Sequence, residues 1–502
     1  MSGVTEHRET EFKFRVPADV TVDIEEILHA ADARFTREPV RSMSATYYDT
    51  SNLNLLRWGI TLRHRTGGGD DGWHMKIPSH GTGDSPARDE IRVDTSAASI
   101  PVELASIAAP LIRRQEIVAM AEVRTERAPF LVVGQSGDGL IEVVDDHVQV
   151  GDPGLEPSAA FHEIEVELLE DLPESRELAH AIGTALLTAG TEPNSVSKAA
   201  QALGRRAGDP PDVPALDFPD RDAPAVNALQ AIFSRYVRDL LVADVGVRRD
   251  LPDSVHQMRV SCRRLRGALT TFRPLLDPEV TSFLREELAW LAAELGQVRD
   301  TEVQINVLTE AIADEAAREF VVSQLQQRLR AARSSALAAL RSDRHDFLIE
   351  DLILLVTEPP VGSRAFEPVG TVISECVEIP WVKLGRQVEK SDLDSPAEQW
   401  HRVRIQAKKA RYALEAVAPM FGDGYRKLGK SLAWVTDTLG SRQDAQVSMH
   451  TLEDLAATAP APIAYQLGVH SAHCEIAGTQ DIREFLNRWP AIDHQARKLG
   501  LG

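Results

Sequence analysis

Glu9-Thr10-Glu11-Phe12-Lys13-Phe14 and, far downstream, Glu163-Ile164-Glu165-Val166-Glu167 alternate charged residues with apolar or β-prone ones at period two. That period predicts β-strands, in which side chains two apart share a face. Glu9, Glu11 and Lys13 then point one way, and Glu163, Glu165 and Glu167 do the same. Taken singly, either segment reads as a strand that wets its charged face and buries the other. More strands of the same build argue otherwise: Leu62-Arg63-His64-Arg65, Trp73-His74-Met75-Lys76-Ile77, Arg88-Asp89-Glu90-Ile91-Arg92-Val93 and Leu140-Ile141-Glu142-Val143. Together they predict an antiparallel barrel with a charged interior. Carboxylates on such a wall suit Mg²⁺ or Mn²⁺, which prefer hard oxygen ligands. Lys and Arg beside them suit the oxygens of a polyanion.

The ordered set of motifs resembles the CYTH domain, the triphosphate tunnel metalloenzyme fold of triphosphatases and class IV adenylyl cyclases. It comprises the E-x-E-x-K opening, Tyr47-Tyr48-Asp49-Thr50, Arg63 and Arg65, Lys76, Arg88 and Glu90, Arg124-Thr125-Glu126-Arg127, the E-x-E-x-E strand and Ser197-Lys198. The resemblance covers residues 5–202 and implies an eight-stranded antiparallel tunnel that binds a triphosphate and hydrolyses it with Mg²⁺ or Mn²⁺. It further implies that Glu9, Glu11, Glu163, Glu165 and Glu167 hold metal. Lys13, Arg63, Arg65, Lys76, Arg88, Arg127 and Lys198 are the implied phosphate clamp, and Glu9, Glu11, Lys13 and Glu165 the catalytic set. Arg124 and Arg127 fall on opposite faces of one strand, so only one need line the tunnel, and Arg127 is preferred. Glu142 and Asp146 share parity, while Asp145 fits the family's acidic position equally well. Tyr47 and Tyr48 read as packing residues.

The 502 residues suffice for two or three domains. A net charge of −21 argues against nonspecific nucleic-acid binding by the whole surface, so a polyanion site must be a local basic patch. Cys262, Cys376 and Cys474 are too few and scattered for a disulfide framework or a zinc site. The N-terminus shows no leader pattern, and no apolar run of about 18 residues would span a bilayer. The expected setting is therefore cytoplasmic, with no membrane and no sequence-specific nucleic-acid partner; a homo-oligomer is compatible with the sequence.

Residues 203–221, rich in Pro and Asp, read as a linker. Beyond it, over 222–500, the apolar spacing becomes helical and the sequence repeats, in copies of about 222–355 and 366–500. Val255-His256-Gln257-Met258-Arg259-Val260 is echoed by Trp400-His401-Arg402-Val403-Arg404-Ile405 at an offset of 145 residues. Trp290, Leu295, Gly296, Asp300 and Val303 recur as Trp434, Leu439, Gly440, Asp444 and Val447 at an offset of 144. This predicts a duplicated helical bundle.

On a helix, His256, Arg259, Arg263 and Arg266 form one stripe, and His401, Arg404, Lys408 and Arg411 repeat it. Like charges so spaced repel by about a few tenths of a kcal/mol per pair. They could pair with acids on neighbouring helices, Asp300 and Asp444 among them; kept twice, the pattern fits a row of phosphate contacts better. The motifs H-x-M-R-V-x-x-R-R-L-R, L-G-x-V-R-D, H-x-V-R-I-x-x-K-K-x-R-Y and L-G-x-R-Q-D resemble the CHAD domain, the conserved histidine α-helical module. That resemblance implies two pseudo-symmetric four-helix bundles whose basic surface binds inorganic polyphosphate through His256, Arg259, Arg263, Arg264, Arg266, His401, Arg404, Lys408, Lys409 and Arg411. It suggests delivery to polyphosphate granules or feeding of chain ends into the tunnel.

The expectation is an α+β multidomain protein that hydrolyses a triphosphate, with inorganic tripolyphosphate favoured over a nucleoside triphosphate. A class IV adenylyl cyclase acting on ATP and a non-catalytic polyphosphate scaffold are the alternatives.

Overall fold

The computed structural model describes residues 4–79, 87–95, 97, 99–134, 136–474 and 480–501, leaving aside the side chains of 441–446 and 472–481. Two compact units divide the chain, Met1–Asp212 and Val213–Gly502.

The first unit is built on ten strands. These are β1 (Val4–Val16), β2 (Arg34–Arg37), β3 (Arg41–Thr50), β4 (Thr61–Thr66), β5 (Gly72–Pro78), β6 (Ala87–Val93), β7 (Ile117–Val133), β8 (Gly139–Gly151), β9 (Ala159–Leu168) and β10 (Glu192–Asn194). Eight of them pair antiparallel in the cycle β1-β6-β5-β4-β3-β7-β8-β9, and β9 returns to β1 to close it. The short β2 and β10 attach to β7 and β1. Closure leaves no free edge among the eight.

The barrel turns the usual arrangement inside out. Phe14, Val132, Ile141, Val143, Ile164 and Val166 point outward and are buried under α1 (Ile24–Ala30) and α4 (Pro173–Thr188), which add Ile24, Leu28, Ile182 and Leu186. The hydrophobic core of this side therefore lies between barrel and helices. The alternate residues of the same strands are left to face one another across the lumen. Short helices α2 (Asn54–Arg57), α3 (Val102–Ile112) and α5 (Lys198–Leu203) complete the unit. Asp49 anchors the start of α2, accepting from the backbone N–H groups of Leu55 and Leu56 at 2.9 Å each. The Ser197 hydroxyl caps α5 by accepting from Ala200 N–H at 3.2 Å.

The second unit is helical. Its first copy comprises α6 (Ala225–Arg248), α7 (Ser254–Thr271), α8 (Pro278–Ala311), α9 (Glu315–Leu340) and α10 (Asp343–Thr357). The second comprises α11 (Val369–Glu389), α12 (Ala397–Phe421), α13 (Asp423–Thr438), α14 (Ser441–Ala456), α15 (Ala461–Cys474) and α16 (Gln480–Arg497). The 34-residue α8 has as its counterpart two helices, α13 and α14, broken at Leu439-Gly440. Leu308, Val321 and Leu325 of the first copy share a small core with Leu452, Leu455 and Leu467 of the second. Trp290 carries the Arg344 guanidinium 4.2 Å above its ring, and Trp434 carries Arg488 at 4.0 Å. Both members of that pair recur at the 144-residue offset.

Where α7 crosses α12, a Cβ on Gly267 would lie 3.1 Å from Cβ of Tyr412. These two are equivalent positions of the repeat, so a glycine in one copy makes room for a tyrosine in the other. Deep in the first bundle, Asp244 is wholly buried between Arg248 Nε at 2.7 Å and His345 Nε2 at 2.9 Å. Cys262 and Cys376 are free and buried; the Cys474 side chain lies outside the described ones. No helix among the described residues is long and apolar enough to cross a membrane.

Candidate functional site: a charged tunnel and a basic cleft

The lumen holds a cavity of about 250 Å³. Glu9, Glu11, Lys13, Arg63, Arg65, Lys76, Arg88, Arg127, Glu165 and Glu167 line it from the strands, and Lys198 joins them from α5. Glu163 does not reach the cavity: it is fully buried, held by Lys198 Nζ at 2.7 Å and Gln201 Nε2 at 3.0 Å.

Each lysine is shared among acids. Lys13 Nζ lies 2.9 Å from Glu165, directly opposite on β9, and 3.1 Å from Glu11, two residues earlier on β1. Lys76 donates to Glu9 at 2.6 Å. Lys198, the first residue of α5, reaches Glu165 at 2.8 Å and Asp146 at 2.9 Å as well as Glu163. Burial alone would lower these ammonium pKa values, but the surrounding carboxylates, Glu165 foremost for Lys13 and Lys198, overcome it and raise them. The lysines stay charged. Glu165 is conversely held far below the ordinary carboxylate range, since Lys13, Lys198 and Arg127 outweigh its burial.

On the other wall, Arg63 reaches Glu90 at 3.2 Å, and its Nη1 lies 3.4 Å from the Tyr47 hydroxyl. Glu90 also meets His74 at 3.3 Å and His7 at 3.4 Å. Arg65 donates to Asp70 at 2.6 Å. The strand turns Arg127 inward and leaves Arg124 outside, paired with Glu122 at 3.0 Å. Asp146 faces in, where Arg127 and Lys198 hold it; Asp145 faces out, hydrogen-bonded to His162. Tyr48 packs on Trp73 with ring centroids 4.8 Å apart, whereas Tyr47 borders the cavity.

Of the titratable cavity residues, His7, Arg41 and Asp70 escaped the sequence reading of the site, whereas Glu90 was named beside Arg88 but given no role. His7 shares parity with Glu9, so the period that found the others could have found it too. Asp70 sits in a glycine-rich turn, where no period operates.

The donor set fits a hard divalent cation. Glu9, Glu11 and Glu167 crowd one region: burial, then the charge of Glu9, pushes the Glu167 carboxyl up to about 8, against the pull of Lys76. A cluster that holds a proton at neutral pH for want of positive charge is one that a cation can neutralise instead. A second acidic trio, Asp146, Glu163 and Glu165, has ligand atoms within 4.8 Å of one another, though the tunnel lysines already occupy it.

In the helical unit, a cleft of about 760 Å³ opens between α7, α8, α11 and α12. Arg263 and Arg266 line it from one copy and Lys408 and Lys409 from the other, joined by Arg273, Arg285 and Lys383. Among the described residues no acidic one lines it. The basic stripe of each copy thus divides. Arg259 pairs with Asp300 at 2.9 Å and donates to Gly296 O, while Arg404 donates to Thr436 O at 3.2 Å. Arg264 lies 3.8 Å from both Asp239 and Glu415, and Arg411 pairs with Glu415 at 2.7 Å. His256 is half-buried and His401 exposed, and neither borders the cleft. The side chain of Asp444, the other acid expected opposite the stripe, lies outside the described ones.

The CYTH domain model matches residues 7–186 and the CHAD domain model residues 231–453. An uncharacterized protein of Mycobacterium tuberculosis is 30% identical over 473 residues, which span 89% of this chain and 88% of the relative. Among solved structures, PptA from Streptomyces chartreusis is similar at 23% identity and a TM-score of 0.46, over 53% of this chain and all of its own. The CHAD domain from the plant Ricinus communis is similar at 25% identity and a TM-score of 0.46, over 57% of this chain and 95% of its own. A Hippeastrum protein with a dominant triphosphatase activity is similar at 15% identity and a TM-score of 0.23, over 38% of this chain and 93% of its own. With an eight-stranded tunnel followed by a duplicated helical unit, and a relative matched along nearly the whole length, the chain belongs to the CYTH–CHAD family.

Proposed function

We propose that the tunnel is a metal-dependent triphosphatase, with inorganic tripolyphosphate as the favoured substrate, and that the helical unit binds polyphosphate in its basic cleft. The observation that carries the first half is the interleaving of acids and bases on one inner wall. A purely anion-binding lumen would have no use for Glu9, Glu11 and Glu167, and a purely cation-binding one none for Arg63, Arg65 and Arg88.

Lys13, Lys76, Lys198, Arg63, Arg65 and Arg127 would clamp the phosphate oxygens in exchange for their present carboxylate partners, and Arg88 would join them. Phosphoryl transfer needs chiefly positioning and charge neutralisation, which a fixed set of cations supplies without reorganisation. Glu9, Glu11 and Glu167 would hold Mg²⁺ or Mn²⁺, with Glu165 beside them and Glu163 reaching the ion only if Lys198 lets go. The ion supplies neutralisation of the phosphate oxygens and a more acidic bound water. A carboxylate of this group left unligated would orient the attacking water.

The test is release of orthophosphate from tripolyphosphate and from ATP, with Mg²⁺ or Mn²⁺, beside Glu11→Gln. Release from tripolyphosphate that the substitution abolishes supports the reading. Cyclic AMP and pyrophosphate from ATP would make it a cyclase, and no turnover at all would make it a scaffold.

Polyphosphate binding rests on the cleft itself: among the described residues seven basic ones and no acid line it, on a chain whose net charge is −21. A local positive field on so acidic a protein selects a polyanion over small neutral ligands.

A further inference from the structure

His147 on β8 and His162 on β9 stand directly opposite each other on the outer face of the barrel. Their rings stack, with centroids 4.2 Å apart and planes 18° from parallel. Asp145, two residues before His147 and on the same face, is hydrogen-bonded to Nε2 of His162. One ligand atom from each of the three, two imidazole nitrogens and a carboxylate oxygen, lies within 4.8 Å of the others. We propose that this trio is a second metal site, separate from the tunnel, that takes a borderline transition ion, Zn²⁺ before others.

The donor set decides the class of ion. Imidazole nitrogen favours Zn²⁺, Ni²⁺ and Cu²⁺, whereas an all-oxygen set favours Mg²⁺ and Mn²⁺. The two faces of one sheet would then hold chemically different cations. Zn–N distances of about 2.0–2.1 Å place tetrahedral ligand atoms roughly 3.3 Å apart. The wider separations, within 4.8 Å, would close by at most about 1.5 Å, while the hydrogen-bonded Asp145–His162 pair would open slightly. The exposed ring of His147 can supply the closure by rotating about its side-chain bonds, with the strands fixed. Glu126, opposite His147 on β7, is placed for a fourth position that water otherwise fills.

An ordinary ion pair would use His162 and Asp145 alone. It leaves the exposed ring of His147, stacked over its partner, outside the pair. An ion shared by both rings uses all three groups.

The position also has a consequence for the tunnel. The next register pair along the same strands is Asp146 with Glu163, which point inward to Lys198. An ion on the outer face would staple the two strands that carry Asp146, Glu163 and Glu165.

The full chain, stripped of metal and kept in excess Mg²⁺, is titrated with Zn²⁺ against a chromogenic chelator. Histidine side-chain ¹H–¹⁵N spectra are recorded at each step. The expected result is one equivalent of Zn²⁺ with the His147 and His162 imidazole signals shifting together. His147→Ala and His162→Gln should each weaken binding at least tenfold, roughly the scale of losing a metal-supporting group. Zn²⁺ should raise the melting temperature of the parent and leave that of His147→Ala unmoved; His147 is exposed, so that variant folds. Zn²⁺ uptake unchanged in both variants, imidazole signals that stay still, or no uptake in the presence of Mg²⁺ would overturn the proposal.

Discussion

Arg127 grips Asp146 with both prongs of its guanidinium, Nε at 2.8 Å and Nη2 at 2.6 Å from the two carboxylate oxygens. The same Nη2 reaches Glu165 at 2.8 Å, so one arginine ties β7 to β8 and β9 through the tunnel wall. Asp146 has no solvent exposure. Arg127→Ala leaves it with Lys198 alone, and removing one partner of a buried pair costs about 3–5 kcal/mol. Arg127→Lys keeps the charge and loses the fork, so it should cost less in stability while still lowering turnover. Denaturant midpoints and tripolyphosphate turnover of the two variants check this.

Glu167 sets a pH dependence. Its carboxyl, pushed up to about 8 by burial and then by Glu9, keeps a proton that the unfolded chain gives up near 4.5. Between those values the native state binds more protons, so the metal-free first unit loses stability as pH rises towards 8. Metal binding competes with the same proton and should tighten over that range. Glu167→Gln should flatten the stability profile. Proton release on Mg²⁺ binding, read from titrations in buffers of different ionisation enthalpy, should fall towards zero above pH 8.

The cleft makes a prediction that separates residues within the basic stripes. Arg285→Glu and Lys383→Glu, from outside the H-x-x-R motifs, should weaken polyphosphate binding at least as much as Lys408→Glu. His401→Ala and Arg264→Ala should change it little, since neither side chain borders the cleft. Binding of a fluorescent polyphosphate at two salt concentrations checks both, because charge contacts weaken as salt rises.

Gly267→Ala places a methyl group 3.1 Å from Cβ of Tyr412. Overpacking of this kind costs about 1–3 kcal/mol. Tyr412→Ala in the same chain should relieve part of it, giving a non-additive double-mutant cycle in thermal or denaturant unfolding.

Much of the tunnel was legible because a strand's period is two: knowing that Glu9 faces inward places Glu11 and Lys13 with it. The same parity left Arg124 against Arg127 open until the structure put Asp146 on the inner face beside Arg127. Asp70 was invisible, since a turn between β4 and β5 has no period to read. The helical stripes were harder. His256 and Arg266 share a face but lie about 15 Å apart along the axis. That is enough for Arg259 to meet Gly296 on α8 while Arg263 and Arg266 meet the cleft. A residue's height on a helix matters as much as its face, and the neighbour at each height is set by a distant segment. The recurrence of Trp290 with Arg344 as Trp434 with Arg488 was present in the sequence at the offset already found. The break of α13 from α14 at Leu439-Gly440 was not, because Leu295-Gly296 occupies the same place in an unbroken α8.

The glycine at 267 and the tyrosine at 412 also govern which halves can recognise each other. Two first copies meeting at this crossing would leave a hole where the ring belongs, and two second copies would drive two rings into one space. Only unlike halves fit. The duplication is therefore fixed in a lopsided form, in which the volume missing from one copy is supplied by the ring of the other.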